Sequence, residues 1–293
     1  MWTHGSGEPG LRLFVGACVV AVAACGDEGG TSNGGACEAG QPEVSAASTA
    51  PVQGSIRLQD RLVVQLVDGV PNDQAQTLVS GGFQRIITTS TPASLTLLGT
   101  QCVGLNSVPV AGEFERLDAG PVRVVAGAND ETISPMENIY RLIVPGDRWL
   151  DEADQVSVTG GGAGSEFPGF DVAVDAPDTF RLDSPATDGS ARLRAGDTID
   201  FRWAPGNGDL VLVDISPQPA LPSGGKVQCF FEDRGCGVVP ASATIFLRSN
   251  DVTNFQVVAS RITDARAQLD DETTMDVSLS STVQFELPPE DAQ

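Results

Sequence analysis

Chemistry in this chain must be done almost entirely by carboxylates. The sequence holds 39 Asp and Glu against 17 Lys and Arg, and its single histidine is His4. Histidine is the side chain that titrates near neutral pH, activates nucleophiles and most often ligates catalytic zinc. A carboxylate enzyme for polysaccharides would need two carboxyl groups about 5 to 9.5 Å apart across the bond to be cut. Glu113 and Glu115 are the tightest glutamate pair, but strand alternation puts them on one face, where they repel. Asn129-Asp130-Glu131, Asn250-Asp251 and Asp270-Asp271-Glu272 are acidic clusters at turn-like positions. Ca²⁺ takes six to eight oxygens from such loops, yet none of the three has a calcium-loop register, and solvated turns are the simpler reading. Ser223-Gly224-Gly225-Lys226 has the spacing of a serine nucleophile and its lysine base. Pro222 and the two glycines argue for a loop, not the helix that would bring the two together. Gly160 to Ser165 is rich in glycine but lacks the Gly-Lys-Ser/Thr ending of a phosphate cradle, and reads as a hairpin loop. Among the aromatics, Trp149 is the candidate for an exposed ligand contact, and Trp203 is assigned to the core. The expectation is therefore a protein that is not an enzyme. Its cofactor set is empty, with calcium as the alternative.

The elements that position these residues are strands. Leu62 to Val67, Arg85 to Thr89, Ser94 to Leu98, Val122 to Val125, Tyr140 to Val144, Gln155 to Thr159 and Phe170 to Val174 are short apolar or alternating runs. Gly, Pro, Asn or Asp separates most of them, the punctuation of a β-sandwich. Asn72 to Val79 is the one stretch that reads as a helical turn. No segment keeps a helical apolar period, so the fold class is all-β. A boundary falls at Ala176-Pro177-Asp178, giving two sandwich domains, 51–175 and 176–288, with a short tail at 289–293. From Gly26 to about Ala50 the chain is Gly, Ser, Ala, Thr and Glu, a composition that cannot bury enough surface to offset its ordering entropy. It reads as a flexible tether.

The first residues carry a leader. An apolar run from Leu13 to Ala24 ends in Val22-Ala23-Ala24-Cys25. The core is too short to span a bilayer, which takes roughly 20 residues, and it has the small-residue end of a secretory leader. The sequence resembles the lipobox of bacterial lipoproteins. That resemblance implies removal of residues 1–24, acylation of Cys25 as the new N-terminus, and, with Gly26 following it, delivery to the outer membrane. The membrane is then a partner through the lipid alone. The acidic body stands off anionic headgroups, and the formal charge of −22 excludes nucleic acid on electrostatic grounds. The mature chain would contain no histidine.

Cysteine usage fits an oxidising compartment. Beyond Cys18 and Cys25, four cysteines remain, which allow three pairings. Cys229 and Cys236 flank the turn-like Glu232-Asp233-Arg234-Gly235 and are expected to pair, leaving Cys37 for Cys102.

The second half begins with Gly196-Asp197-Thr198-Ile199-Asp200-Phe201-Arg202-Trp203-Ala204-Pro205. Ile199, Phe201 and Trp203 alternate onto one face. Leu210 to Ile215, Thr244 to Leu247, Asn254 to Ser260 and Val277 to Leu287 follow as strands. This pattern resembles a fibronectin type III or immunoglobulin-like module, with Phe255 where that family has a corner tyrosine. The resemblance implies a sandwich with Trp203 buried. The layout also resembles that of two-domain envelope lipoproteins. The functional expectation is a binding or structural role towards a protein or glycan. A carboxylate-dependent polysaccharide enzyme and a Ca²⁺-stabilised adhesion module are the alternatives.

Overall fold

The computed structural model describes residues 37, 42, 48–67, 70–89, 95–105, 112–162, 164–218, 225–247 and 254–290. Within them the chain is nearly all strand, as its punctuated alternation demands. In chain order the strands are β1 (Val52–Val67), β2 (Val70–Ile86), β3 (Leu95–Leu97), β4 (Cys102–Leu105), β5 (Phe114–Leu117), β6 (Val122–Ala126), β7 (Asn129–Ile133), β8 (Ile139–Pro145), β9 (Gln155–Gly160) and β10 (Phe170–Asp175). They continue as β11 (Leu182–Ser184), β12 (Ile199–Trp203), β13 (Leu210–Gln218), β14 (Lys226–Phe231), β15 (Cys236–Val239), β16 (Asn254–Gln268) and β17 (Thr273–Leu287). A 3-10 turn spans Trp149–Glu152, and one short helix, α1, spans Ala241–Phe246.

Three sheets result. The largest runs β3-β4-β14-β13-β16-β17-β1-β2-β5, with β8 also on β2, while β10-β9-β6-β7 and β11-β12-β15 form two smaller ones. The large sheet crosses position 176: β1, from the first half, lies parallel to β17, from the second, and β4 pairs with β14. β1, β2, β16 and β17 have 15 to 17 residues, against a usual five or six. β1, β16 and β17 are long because they run under two cores in succession, and β2 because it pairs with β1 along its length.

The inward face of these strands shows how that is done. On β1, Ile56 and Leu58 enter one core and Val64 the other, with Asp60 between them. On β17, Met275, Val277 and Leu279 enter the first and Val283, Phe285 and Leu287 the second, with Ser281 between. On β16, Phe255, Val257 and Ala259 belong to the second core, and Arg261 follows. Side chains two apart share a face, so each strand carries one polar residue where the cores meet. Register aligns them: Asp60 lies opposite Thr77 on β2 and Ser281 on β17, and Ser281 lies opposite Arg261. All four are buried. The first core is closed by the four-stranded sheet through Val122, Val124, Val156, Val158, Val172 and Val174. The second is closed by Phe201, Trp203 and Val239 of the three-stranded sheet and by Ala243 and Leu247 at α1.

Buried polar groups must find partners, and this row finds them in the connecting segments. Thr77 Oγ1 donates to Asp60 Oδ1 at 2.6 Å, and the Leu150 amide donates to Asp60 Oδ2 at 2.6 Å. The Trp149 amide donates to Thr77 Oγ1 at 3.2 Å. Ser281 Oγ accepts from the Phe180 amide at 2.8 Å and from Arg148 at 3.0 Å. Arg261 is 2 % exposed and faces Asp233, 3 % exposed, with Nε 2.7 Å from Oδ2. Its other nitrogens donate to the carbonyls of Asp178, Thr179 and Ala204, and its guanidinium lies over the Phe180 ring at 5.3 Å. Asp233 in turn accepts from Trp203 Nε1 at 2.8 Å and from the Gly208 amide at 3.1 Å. Gly206 and Gly208 permit this approach: a Cβ at Gly206 would stand 2.4 Å from the guanidinium carbon, and one at Gly208 2.5 Å from Arg261 Cγ.

Two expectations from the sequence are corrected and a third is met. Asn72 to Val79 is strand, not a helical turn, because the β1–β2 hairpin pairs it residue by residue with β1. Thr244 to Leu247 falls in and just after α1, not in a strand. Pro240 caps that helix, and Thr244 turns its hydroxyl back to the Asp197 and Ala241 carbonyls. Ile199, Phe201 and Trp203 do share one inward face, with Phe201 and Trp203 buried.

Two predictions follow the polar row. Asp233→Ala leaves a buried guanidinium without its carboxylate and should cost about 3–5 kcal/mol. The double variant Asp233→Ala/Arg261→Met should cost less than the single one. Denaturant unfolding measures both, and a double variant less stable than the single contradicts the pairing. Burial pushes the Asp60 carboxyl above its ordinary value, against the opposing hydrogen bonds from Thr77 and Leu150. The folded state therefore holds this proton more tightly than the unfolded chain. The group's contribution is fully present at low pH and is lost as pH rises through the folded pKa. The stability difference between wild type and Asp60→Asn should move in favour of wild type as pH falls through that window; a shift the other way contradicts the burial.

Candidate functional site

The four cysteines beyond Cys25 all pair, but differently from expectation. Cys37 bonds Cys236 with Cα atoms 5.9 Å apart, and Cys102 bonds Cys229 at 4.1 Å. Cys229 and Cys236, close in sequence, lie on strands of different sheets. Register places Cys229 on β14 directly opposite Cys102 on β4, so Cys102–Cys229 staples neighbouring strands of the large sheet. Cys236, on β15 opposite Arg202, then takes Cys37. The segment after Cys25 is thereby tied to the second half of the chain, not to Cys102. Cys25 and Ser223 lie outside the described residues, as do Asn250 and Asp251.

Trp149, expected to be an exposed ligand contact, is 2 % exposed. The 3-10 turn that begins with it is drawn onto the sheet by the bonds its own amide and that of Leu150 make to Thr77 and Asp60, which carries the indole into the first core. Tyr140 is also buried. Its hydroxyl donates to the Gly120 carbonyl at 2.8 Å and accepts from the Ala119 amide at 3.2 Å. Glu115 pairs with Arg85 at 2.6 Å, and the Glu113 amide donates to Thr88. Gly160 closes β9 opposite Phe170 of β10, so the glycine-rich stretch opens a hairpin loop.

The acidic turns are occupied by the protein itself. Asp130, in the β6–β7 hairpin, receives two bonds from Arg123 at 2.7 and 2.6 Å, which hold its carboxyl below the ordinary range. Asp270, in the β16–β17 turn, is lowered by the Glu272 amide. Lys226 pairs with Asp214 at 2.7 Å on β14 and β13, where Gln228 and Ser216 also donate to Asp214. Among the described residues no three Asp, Glu, His or Cys converge as a metal site.

A cleft of about 350 Å³ opens where the polar row meets the surface, lined by Leu150 to Asp154, Ala176 to Thr179 and Asn207. Asp151, Glu152, Asp154 and Asp178 edge it. Asp151 is committed, accepting from Thr179 Oγ1 at 2.6 Å and standing 3.3 Å from Arg148. Asn207 bridges the walls, accepting from the Asp178 amide and donating to the Ala176 carbonyl. These bonds make the cleft a packed joint between connecting segments.

The outward face of the large sheet offers a broader surface. Pairing register puts Ser55, Arg57, Gln59 and Arg61 of β1 beside Gln76, Leu78, Ser80 and Gln84 of β2. Beyond them come Ile139, Arg141 and Ile143 of β8 and Phe114 and Arg116 of β5. The outward positions of these four strands contain four arginines and no Asp or Glu. On a chain of formal charge −22 this surface is locally basic. Sequence reading missed it because alternation assigns a face only once partners and register are known.

No family profile matches this chain, and no curated protein does. Among solved structures the chain is similar to one from work on host cell surface retention of a 1.5-MDa bacterial ice-binding adhesin. That likeness has 16% sequence identity, covers 84% of this chain and 68% of that one, and has a TM-score of 0.20. At that score it carries no argument about fold or function.

Peptide mapping of the non-reduced protein should recover the Cys37 peptide linked to that of Cys236, and Cys102 to Cys229. A Cys229–Cys236 linkage contradicts the strand pairing.

Proposed function

We propose that this is an exported, lipid-anchored protein of the cell envelope with a non-enzymatic binding role towards a macromolecule, delivered to the outer membrane. The single observation that carries the reading is the pairing of all four cysteines beyond Cys25 into two disulfides. Such bonds persist in oxidising compartments and are rare in the cytosol, and they match a leader that ends in Val22-Ala23-Ala24-Cys25. Cys37 stands twelve residues beyond Cys25. An extended chain of that length reaches about 40 Å, enough to hold an acidic body clear of anionic headgroups. The binding role rests on the outward positions of β1, β2, β5 and β8, which carry arginines and no carboxylate. It rests also on a chain whose only histidine falls within the leader.

The test is the intact mass of the protein extracted by detergent from its own membranes. Loss of residues 1–24 with acyl chains on Cys25 is expected, and Cys25→Ser should move the protein to the soluble fraction or leave the leader uncut. An unacylated protein that keeps residues 1–24 contradicts the reading. So does glycan hydrolysis abolished by replacing Glu152 and Asp154 at the cleft.

A further inference from the structure

We propose that β8 is a docking strand for an extended, acidic segment of another protein, which adds to the large sheet at this edge and lays its carboxylates against Arg141 and its neighbours. The inference deepens the binding role proposed above by naming the partner's chemistry.

The first observation is an edge. β8 pairs with β2 along Ile139 to Pro145, and among the described residues no strand of any sheet pairs with its other side, where only Ile139 is engaged, by a bridge to Met136. An edge of this kind presents a row of main-chain N–H and C=O groups that can template a further strand. Proteins usually blunt such edges with a bulge, an inward charge or a proline within the strand. β8 keeps regular register over seven pairs, and its one proline, Pro145, is its last residue.

The second observation is what the edge displays. Tyr140 is buried, and Leu142 and Val144 pack against the first core, so the strand is held firmly from below. Ile139, Arg141 and Ile143 alternate outward, and the two isoleucines are 37 % and 45 % exposed. An added strand would place alternate side chains on this same face, close enough to meet their cross-strand neighbours. Aliphatic residues beside Ile139 and Ile143 with a carboxylate between them would complement the strand.

The third observation is charge. Arg116, Arg57 and Arg61 share the outward face with Arg141, and none of the four makes an ion pair with a described carboxylate. Asp264 lies two strands from Arg57, across Ser278. Asp276, on the adjacent β17 opposite Ser55, is taken by Arg266. A second copy of this chain paired edge to edge would bring two such arginine faces together and is opposed by their repulsion. A polyanionic glycan would satisfy the arginines but has no use for the main-chain edge or for Ile139 and Ile143. An acidic peptide strand uses all three features.

The experiment uses the mature full-length protein with both disulfides formed. The probes are a blocked peptide that repeats Val-Thr-Glu-Thr, so that valine and glutamate take turns on one face, the same peptide with lysine for glutamate, and polygalacturonate. The glutamate peptide should bind, more weakly as salt is raised, and should slow hydrogen exchange of the outward amides of Arg141 and Ile143. The lysine peptide should not bind. Arg141→Glu, an exposed change that leaves the core intact, should weaken binding at least about tenfold, while Arg141→Lys should retain most of it. Ile143→Asp should weaken it as well. No binding of the glutamate peptide overturns the proposal, as does binding indifferent to Arg141→Glu. Polygalacturonate binding without protection of β8 would assign the face to a glycan, and concentration-dependent dimerisation that protects β8 would assign it to a second copy. Either result also overturns the proposal. A protein found acylated at Cys25 that fails these tests would still be an envelope lipoprotein, so this failure is distinct from failure of the reading above.

Discussion

The row Thr77–Asp60–Ser281–Arg261 is the constraint on which the rest of the architecture depends. A sheet whose long strands buried apolar side chains along their full length would need one uninterrupted cover. This chain instead places one polar residue at the same level on four neighbouring strands. Each of them, buried, must be satisfied by something arriving from above. What arrives are the connecting segments: residues 147–150 between β8 and β9, residues 178–180 between β10 and β11, and the turn that carries Asp233. The polar row thus decides where one covering sheet stops and the next begins. It also locks the two covers to a common floor.

This explains why the sequence is legible in parts. Alternating runs such as Gln155 to Thr159 and Phe170 to Val174 read correctly as strands because each has one face on a core. The alternation Ile199, Phe201, Trp203 identifies an inward tryptophan for the same reason. Val277 to Leu287 likewise reads as strand, but nothing local says that Asp60 and Ser281 mark a junction between two cores. The helix at α1 is equally hidden, since Thr-Ile-Phe-Leu favours strand by propensity and only the packing of Ala243 and Leu247 into the second core decides otherwise. Non-local pairing also sets the disulfides: Cys229 meets Cys102 because β14 and β4 are neighbours, over a separation of 127 residues.

The candidate interface follows from the same arrangement. With the inward face committed to two cores, function is left to the outward face and the edges. Several acidic groups are spent in hydrogen bonds and ion pairs within the protein, as Asp130, Asp151 and Asp214 show. What remains distinctive is the arginine-bearing end of the large sheet beside β8. Trp149 illustrates the converse: a residue that reads as a surface aromatic is consumed by the junction, because the amides around it are needed by Asp60 and Thr77.

The central claim is that one continuous sheet makes both halves a single cooperative unit, and calorimetric unfolding of the disulfide-intact mature protein tests it most directly. A single transition whose van't Hoff and calorimetric enthalpies agree is the predicted result. Two resolved transitions, one for each half of the chain, would contradict it.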